Sequence, residues 1–170
     1  MAWHKLINQY LNLPYRINKP YLKSDNNALV GKGSIQEIIE TTKQFAKKQN
    51  IDLTQLSDKE LYNFRKKNNI GIDCSGLVCN LLGIKNKRKT DANMLTSTPL
   101  STKIKLENIK KGDLIRQKQG KHVLLVTQVT PQNIEYIHSS RENRGVKIQK
   151  TSKNNLDFFK EGIWRITSLQ

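Results

Sequence analysis

At 170 residues, with 36% hydrophobic and 26% charged positions, the chain is long enough to bury a core without disulfides, and its balance excludes a disordered polymer. No apolar run approaches the roughly 18 residues of a membrane span. Thirty Lys and Arg against 14 Asp and Glu leave a net charge of +16, which attracts polyanions, anionic surfaces and acidic peptides, yet no helix-turn-helix, zinc-finger spacing or aromatic-basic strand motif accompanies it.

The chain opens Met1-Ala2-Trp3-His4-Lys5, without the basic segment, apolar stretch and cleavage site of a secretory leader. This N-terminus fits the cytosol, a chain already processed, or export by another route. Basic residues are spread along the chain and interleaved with Asn, as in Arg65-Lys66-Lys67 and the run from Lys85 to Lys89. A solvated basic surface accounts for this pattern. A surface for an anionic polymer is the functional alternative.

The first hundred residues read as helical. Ser34-Ile35-Gln36-Glu37 is a capping box followed by Ile38, Ile39, Thr42, Phe45 and Ala46 at helical spacing. Ser57-Asp58-Lys59-Glu60 is a second box, opening a helix that ends around Asn68-Asn69. Residues 34–69 are therefore expected to form a helical hairpin. A third helix is predicted from Cys74 to about Leu82, with Gly83 ending it.

After residue 100 the pattern becomes that of a β meander. Strands are predicted over 112–116, 122–129, 134–138, 145–149 and 163–166, separated by turns such as Lys118-Gln119-Gly120-Lys121. Helices followed by an antiparallel sheet make an α+β fold, with no repeat or long linker to divide the 170 residues into more than one domain.

The two cysteines are too few for a disulfide framework, and their contexts differ. Cys79 lies within Leu77-Val78-Cys79-Asn80-Leu81-Leu82, where a thiol acts as a small hydrophobe. Cys74, in Ile72-Asp73-Cys74-Ser75-Gly76, sits where a polar turn enters a helix. The first turn of a helix offers unpaired N–H groups and the positive end of the dipole, which favour thiolate and can bind an oxyanion. A nucleophilic thiol also needs a base, and the base needs an orienting group. His122 opens one predicted strand and His138 closes the next, so an antiparallel hairpin makes them neighbours. Asp113 is placed to cap its Gly-Asp turn rather than to serve as a triad carboxylate.

The segment Ile72-Asp73-Cys74-Ser75-Gly76-Leu77-Val78 resembles the nucleophile motif of the NlpC-type cell-wall peptidases, small papain-like enzymes. Lys111-Gly112-Asp113-Leu114-Ile115, His122-Val123 and Ile137-His138-Ser139-Ser140 resemble, in the family's order, the strand before the base, the base, and the strand end with the orienting residue. Leu13-Pro14-Tyr15-Arg16 is similar to the segment bearing a tyrosine over the active site. The resemblance covers about residues 11–22 and 70–167, and the hairpin over 34–69 lies between these stretches as an insertion.

This resemblance implies a papain-like fold with N-terminal helices packed on a five- to six-stranded antiparallel sheet. It implies a cysteine peptidase with Cys74, His122 and His138 as the catalytic set and Tyr15, Asp73 and Ser75 as substrate-contacting residues. The implied substrate is the γ-D-glutamyl to diamino-acid bond of a peptidoglycan stem, and no metal or cofactor is called for. Acyl or amide transfer on the same fold, and a non-catalytic basic module holding an anionic polymer, are the alternatives.

Overall fold

In a computed structural model, which describes residues 3–16, 24–85 and 87–167, the chain is α+β, with five α-helices and six strands among the described residues. Residues 17–22, the end of the N-terminal stretch resembling the family, lie outside the described residues. Contacts group the chain into two compact units, Met1–Asp73 with Ser139–Val146, and Cys74–His138 with Lys147–Gln170.

The first unit holds α1 (Trp3–Tyr10), α2 (Ile35–Lys48) and α3 (Asp58–Lys67). Both predicted capping boxes form. The Glu37 and Glu60 backbone amides donate to the hydroxyls of Ser34 and Ser57, and each glutamate accepts the amide of its own cap residue. The hydroxyl and amide of Ser57 hold the Glu60 carboxyl below its ordinary pKa. At the start of α2 the Tyr10 hydroxyl accepts the Ile35 amide at 2.9 Å, satisfying a further orphan donor of that helix. α2 packs on the 3-10 turn Asn27–Leu29, and Ile38, Ala28, Ile70 and Ile72 are buried in this unit.

Gly31 shows why that turn needs glycine. Its φ is +76°, and a Cβ there would lie 2.2 Å from the Arg16 carbonyl oxygen. The turn places Lys32, 1% exposed, to reach the Asp73 carboxylate at 3.2 Å, while the Asp73 amide donates to the Gly31 carbonyl at 2.9 Å.

The second unit contains α4 (Cys74–Leu82), α5 (Ala92–Leu95) and most of the sheet. The strands are β1 (Ser101–Ile104), β2 (Leu114–Gln117), β3 (His122–Val129), β4 (Asn133–Ser140), β5 (Gly145–Ser152) and β6 (Ile163–Ile166), in the order β1-β6-β2-β3-β4-β5. Alternating residues of these strands bury Ile115, Leu124, Val126, Ile134, Tyr136 and Ile163 in one cluster with Ile109 and Phe159. α4 packs against β3, and its apolar residues Leu77, Val78 and Cys79 are fully buried.

Three elements lie beyond the sequence expectation: the short helix α5 follows the last predicted helix. β1 adds a sixth strand by pairing with β6, Ser101 opposite Ile166, and α1 precedes the first predicted helix. Asp113 acts as the cap its turn chemistry predicts. Its carboxylate accepts the Lys110 amide at 2.7 Å, and Arg165 binds it with two donors at 2.8 and 2.9 Å.

Candidate active site

Cys74 is the first residue of α4, buried at 7% exposure, and Cys79 lies wholly inside at 0%. Neither is in a disulfide. Gly83, with φ of +73°, follows the end of the helix, as its sequence position predicts. The positive end of the α4 dipole therefore lies at a cysteine.

His122 begins β3 and His138 lies near the end of β4, two antiparallel strands in which Leu125 faces Ile137. The start of one strand thus lies beside the end of the other, and both rings are buried. His122 Nε2 and His138 Nδ1 are 2.9 Å apart, with the rings edge to face at 5.1 Å between centroids. His138 Nε2 lies 2.8 Å from Gln149 Oε1, on β5.

With the Gln149 amide oriented oxygen-first towards His138, this chain of contacts assigns the proton positions. The amide oxygen of Gln149 only accepts, so Nε2 of His138 carries the proton. In the neutral ring Nδ1 is then an acceptor, and His122 must donate to it from Nε2. The remaining nitrogen of His122, Nδ1, is left with the lone pair, as a general base requires. Tyr136 reinforces the far end. Its hydroxyl donates to the same Gln149 oxygen at 3.4 Å, and its ring lies 5.6 Å from that of His138. Burial holds the Tyr136 phenol protonated to higher pH than usual, so the donor persists across the neutral range.

The two segments flanking the pair are also stitched together. The Ser139 hydroxyl donates to the Ile72 carbonyl at 2.7 Å. Ser139 adjoins His138, and Ile72 precedes Cys74 by two positions, so two peptide links on one side and one on the other limit how far Cys74 and His138 can separate.

The other candidates occupy different settings. Asp73, 6% exposed, is paired with Lys32. Ser75 is buried in the first turn of α4. Tyr15, in the first unit, forms an isolated parallel bridge with Ile72 and lines a cavity there. Sequence reasoning missed Gln149. It is a polar residue in a strand of mixed burial, and only the placement of β5 in the sheet gives it a role.

A cysteine that opens a helix, packed on a strand that begins with a histidine bonded to a second histidine, within an α+β domain bearing an antiparallel sheet, is the arrangement of papain-like cysteine hydrolases. The comparison with protein families specifies this further: the chain belongs to the NlpC/P60 family, whose model matches residues 59–165. That family consists generally of cell-wall cysteine peptidases. The match takes in α3, the cysteine helix and the sheet, and Tyr15 lies outside it. No curated protein sequence matches the chain.

Proposed function

We propose that the chain is a cysteine peptidase or amidase, with Cys74 as nucleophile, His122 as base and His138 as the residue that orients it. The observation carrying this reading is the ordered chain from Gln149 through His138 to His122, which leaves His122 Nδ1 as an acceptor. The packing of α4 on β3 and the Ser139–Ile72 stitch support placing Cys74 before it.

In the reaction, His122 Nδ1 takes the Cys74 proton, and the thiolate attacks the carbonyl carbon of the scissile amide. The negative charge that develops on oxygen is met by the positive end of the α4 dipole, at the helix start that Cys74 opens. Collapse breaks the C–N bond, and His122 returns its proton to the departing amine, leaving a thioester on Cys74. His122 then removes a proton from water, which attacks the thioester. The acid product leaves and the thiol is restored. Throughout, His138 stabilises the imidazolium by accepting the hydrogen bond of its Nε2–H.

The substrate assigned to this chemistry is the γ-D-glutamyl to diamino-acid bond of peptidoglycan stem peptides. Purified protein incubated with muropeptides should release fragments cut at that bond, identified by mass, and Cys74→Ala should abolish release. Products carrying an added amine in place of water would convert the assignment to acyl transfer. Intact muropeptides after incubation with a chain whose Cys74 is alkylated rapidly would refute the substrate.

A further inference from the structure

The first unit contains a concave feature. A cavity of about 320 Å³ is lined by Tyr15, Arg16, Tyr62, Lys66, Arg141 and Arg144, a volume at the small-ligand end of the range for binding pockets. Its walls bring four cations together from three parts of the sequence, and no carboxylate lines it among the described residues. Glu142 belongs to the same turn as Arg141 and Arg144 but is not part of the lining.

The cationic groups are carried on ordered supports. Arg16 donates from Nε to the Leu29 carbonyl and from Nη1 to Asn69, each at 2.9 Å. The Tyr62 hydroxyl donates to the Arg144 carbonyl at 2.6 Å, tying α3 to the turn. That turn is closed by the Arg144 amide on the Arg141 carbonyl at 3.0 Å and by the Asn143 amide on the Ser140 hydroxyl at 3.1 Å. The side chains of Lys66, Arg141 and Arg144 are exposed and make no hydrogen bond or ion pair among the described residues. Gathering like charges around a cavity is unfavourable unless an anion occupies it.

We propose that this pocket binds the carboxylates of a short acidic peptide. The two tyrosine rings and the buried Ile70 give it apolar surface beside the charges, which suits carboxylates on a short carbon stem. A bare phosphate leaves that surface uncovered, and a nucleic-acid strand needs an open track of charge rather than a bounded pocket. The choice of peptide as occupant rests on the peptidase assignment. The charge requirement follows from the cavity itself.

The test uses full-length Cys74→Ala protein, so that binding is read without turnover. Calorimetric titration at low salt compares the tripeptide Ala-γ-D-Glu-Lys, with both carboxylates free, against the same peptide with both converted to carboxamides. The acid form should bind about tenfold more tightly, the size expected for loss of a charged hydrogen bond. The combined substitution Lys66→Ala, Arg141→Ala and Arg144→Asn should remove that advantage and leave the carboxamide unchanged. Asn is chosen at residue 144 because its φ is +57°, which Asn tolerates. An unchanged melting temperature establishes that the variant is folded, and Lys66→Ala with Arg141→Ala alone, which leaves the turn intact, provides a second variant. Equal binding of acid and carboxamide, or an advantage that survives the substitutions, overturns the proposal. Displacement of the peptide by a twelve-nucleotide single-stranded DNA, but not by 10 mM inorganic phosphate or by salt alone, overturns it in favour of a polyanion surface. Tight acid-selective binding without hydrolysis by the native chain upholds the pocket and refutes only the assignment of this bond as the substrate.

Discussion

Gln149 offers the sharpest test of the proposed relay, because it touches His138 and its role is felt at His122 through that ring. Gln149→Leu removes the acceptor for His138 Nε2 while keeping a side chain of similar length at a half-buried position. The lost hydrogen bond is worth about 0.5–1.5 kcal/mol net, which corresponds to roughly 0.4–1.1 pKa units. His138 is then no longer held with its lone pair towards His122, the His122 imidazolium is less stable, and the Cys74 thiolate it supports is rarer at neutral pH. Alkylation of Cys74 by iodoacetamide, followed from pH 5 to 9 with Cys79 as an internal control, should show its acid limb moved up by that amount. Near pH 7 the rate should fall about 3- to 10-fold. Gln149→Glu should move the limb the other way, since a carboxylate at this point favours positive charge along the chain. Tyr136→Phe, which removes only the 3.4 Å contact, should change the rate by less than about threefold. A merely structural role would shift Leu and Glu variants in the same direction. That result, or an unchanged profile in a folded Leu variant, refutes the relay.

Two further outcomes concern stability. Burial raises the Tyr10 phenol to about 12, with the Ile35 amide opposing and the Glu37 charge assisting the rise. Because the group is neutral in the folded state and ionises above about 10 when unfolded, its contribution is intact below pH 10 and should decline by about 2–3 kcal/mol as pH approaches 12. Urea unfolding of native and Tyr10→Phe protein should show the smaller alkaline slope in the variant, and parallel slopes refute the assignment. Lys32→Met should destabilise the fold by about 3–5 kcal/mol, because it removes the charged partner of the buried Asp73 carboxylate. Lys32→Met with Asp73→Asn should recover part of that loss, and a single-variant cost under about 1 kcal/mol would show that the carboxylate is rehydrated.

Local signals in the sequence were strong wherever a structure answers to its own segment. The capping boxes at Ser34 and Ser57 mark the starts of α2 and α3 because the partners lie three residues apart. The apolar run after Cys74, ended by Gly83, marks α4, and alternation over 122–129 marks β3. β1 is different. Ser101-Thr102-Lys103-Ile104 has little apolar content, and its conformation follows from pairing with β6, some 60 positions later. Lys32 reads as one more surface cation until Asp73, 41 residues on, is beside it. Asp73 itself reads as a helix-flanking polar residue open to substrate, and in the fold it faces that lysine. Gln149 and the cations around Tyr15 are illegible for the same reason: each gains meaning from a neighbour supplied by another part of the chain.

The strand order has a consequence for how such a protein is made. β6, at Ile163–Ile166, is inserted between β1 and β2 rather than added at an edge. A nascent chain lacking these residues has a gap in its sheet, with β1 detached and the free edge of β2 unpaired. The His122–His138 pair sits on the same sheet, so it is held in a complete sheet only after residue 166 has left the ribosome. A chain cut short before that point keeps both histidines but lacks the strand that joins β1 to β2.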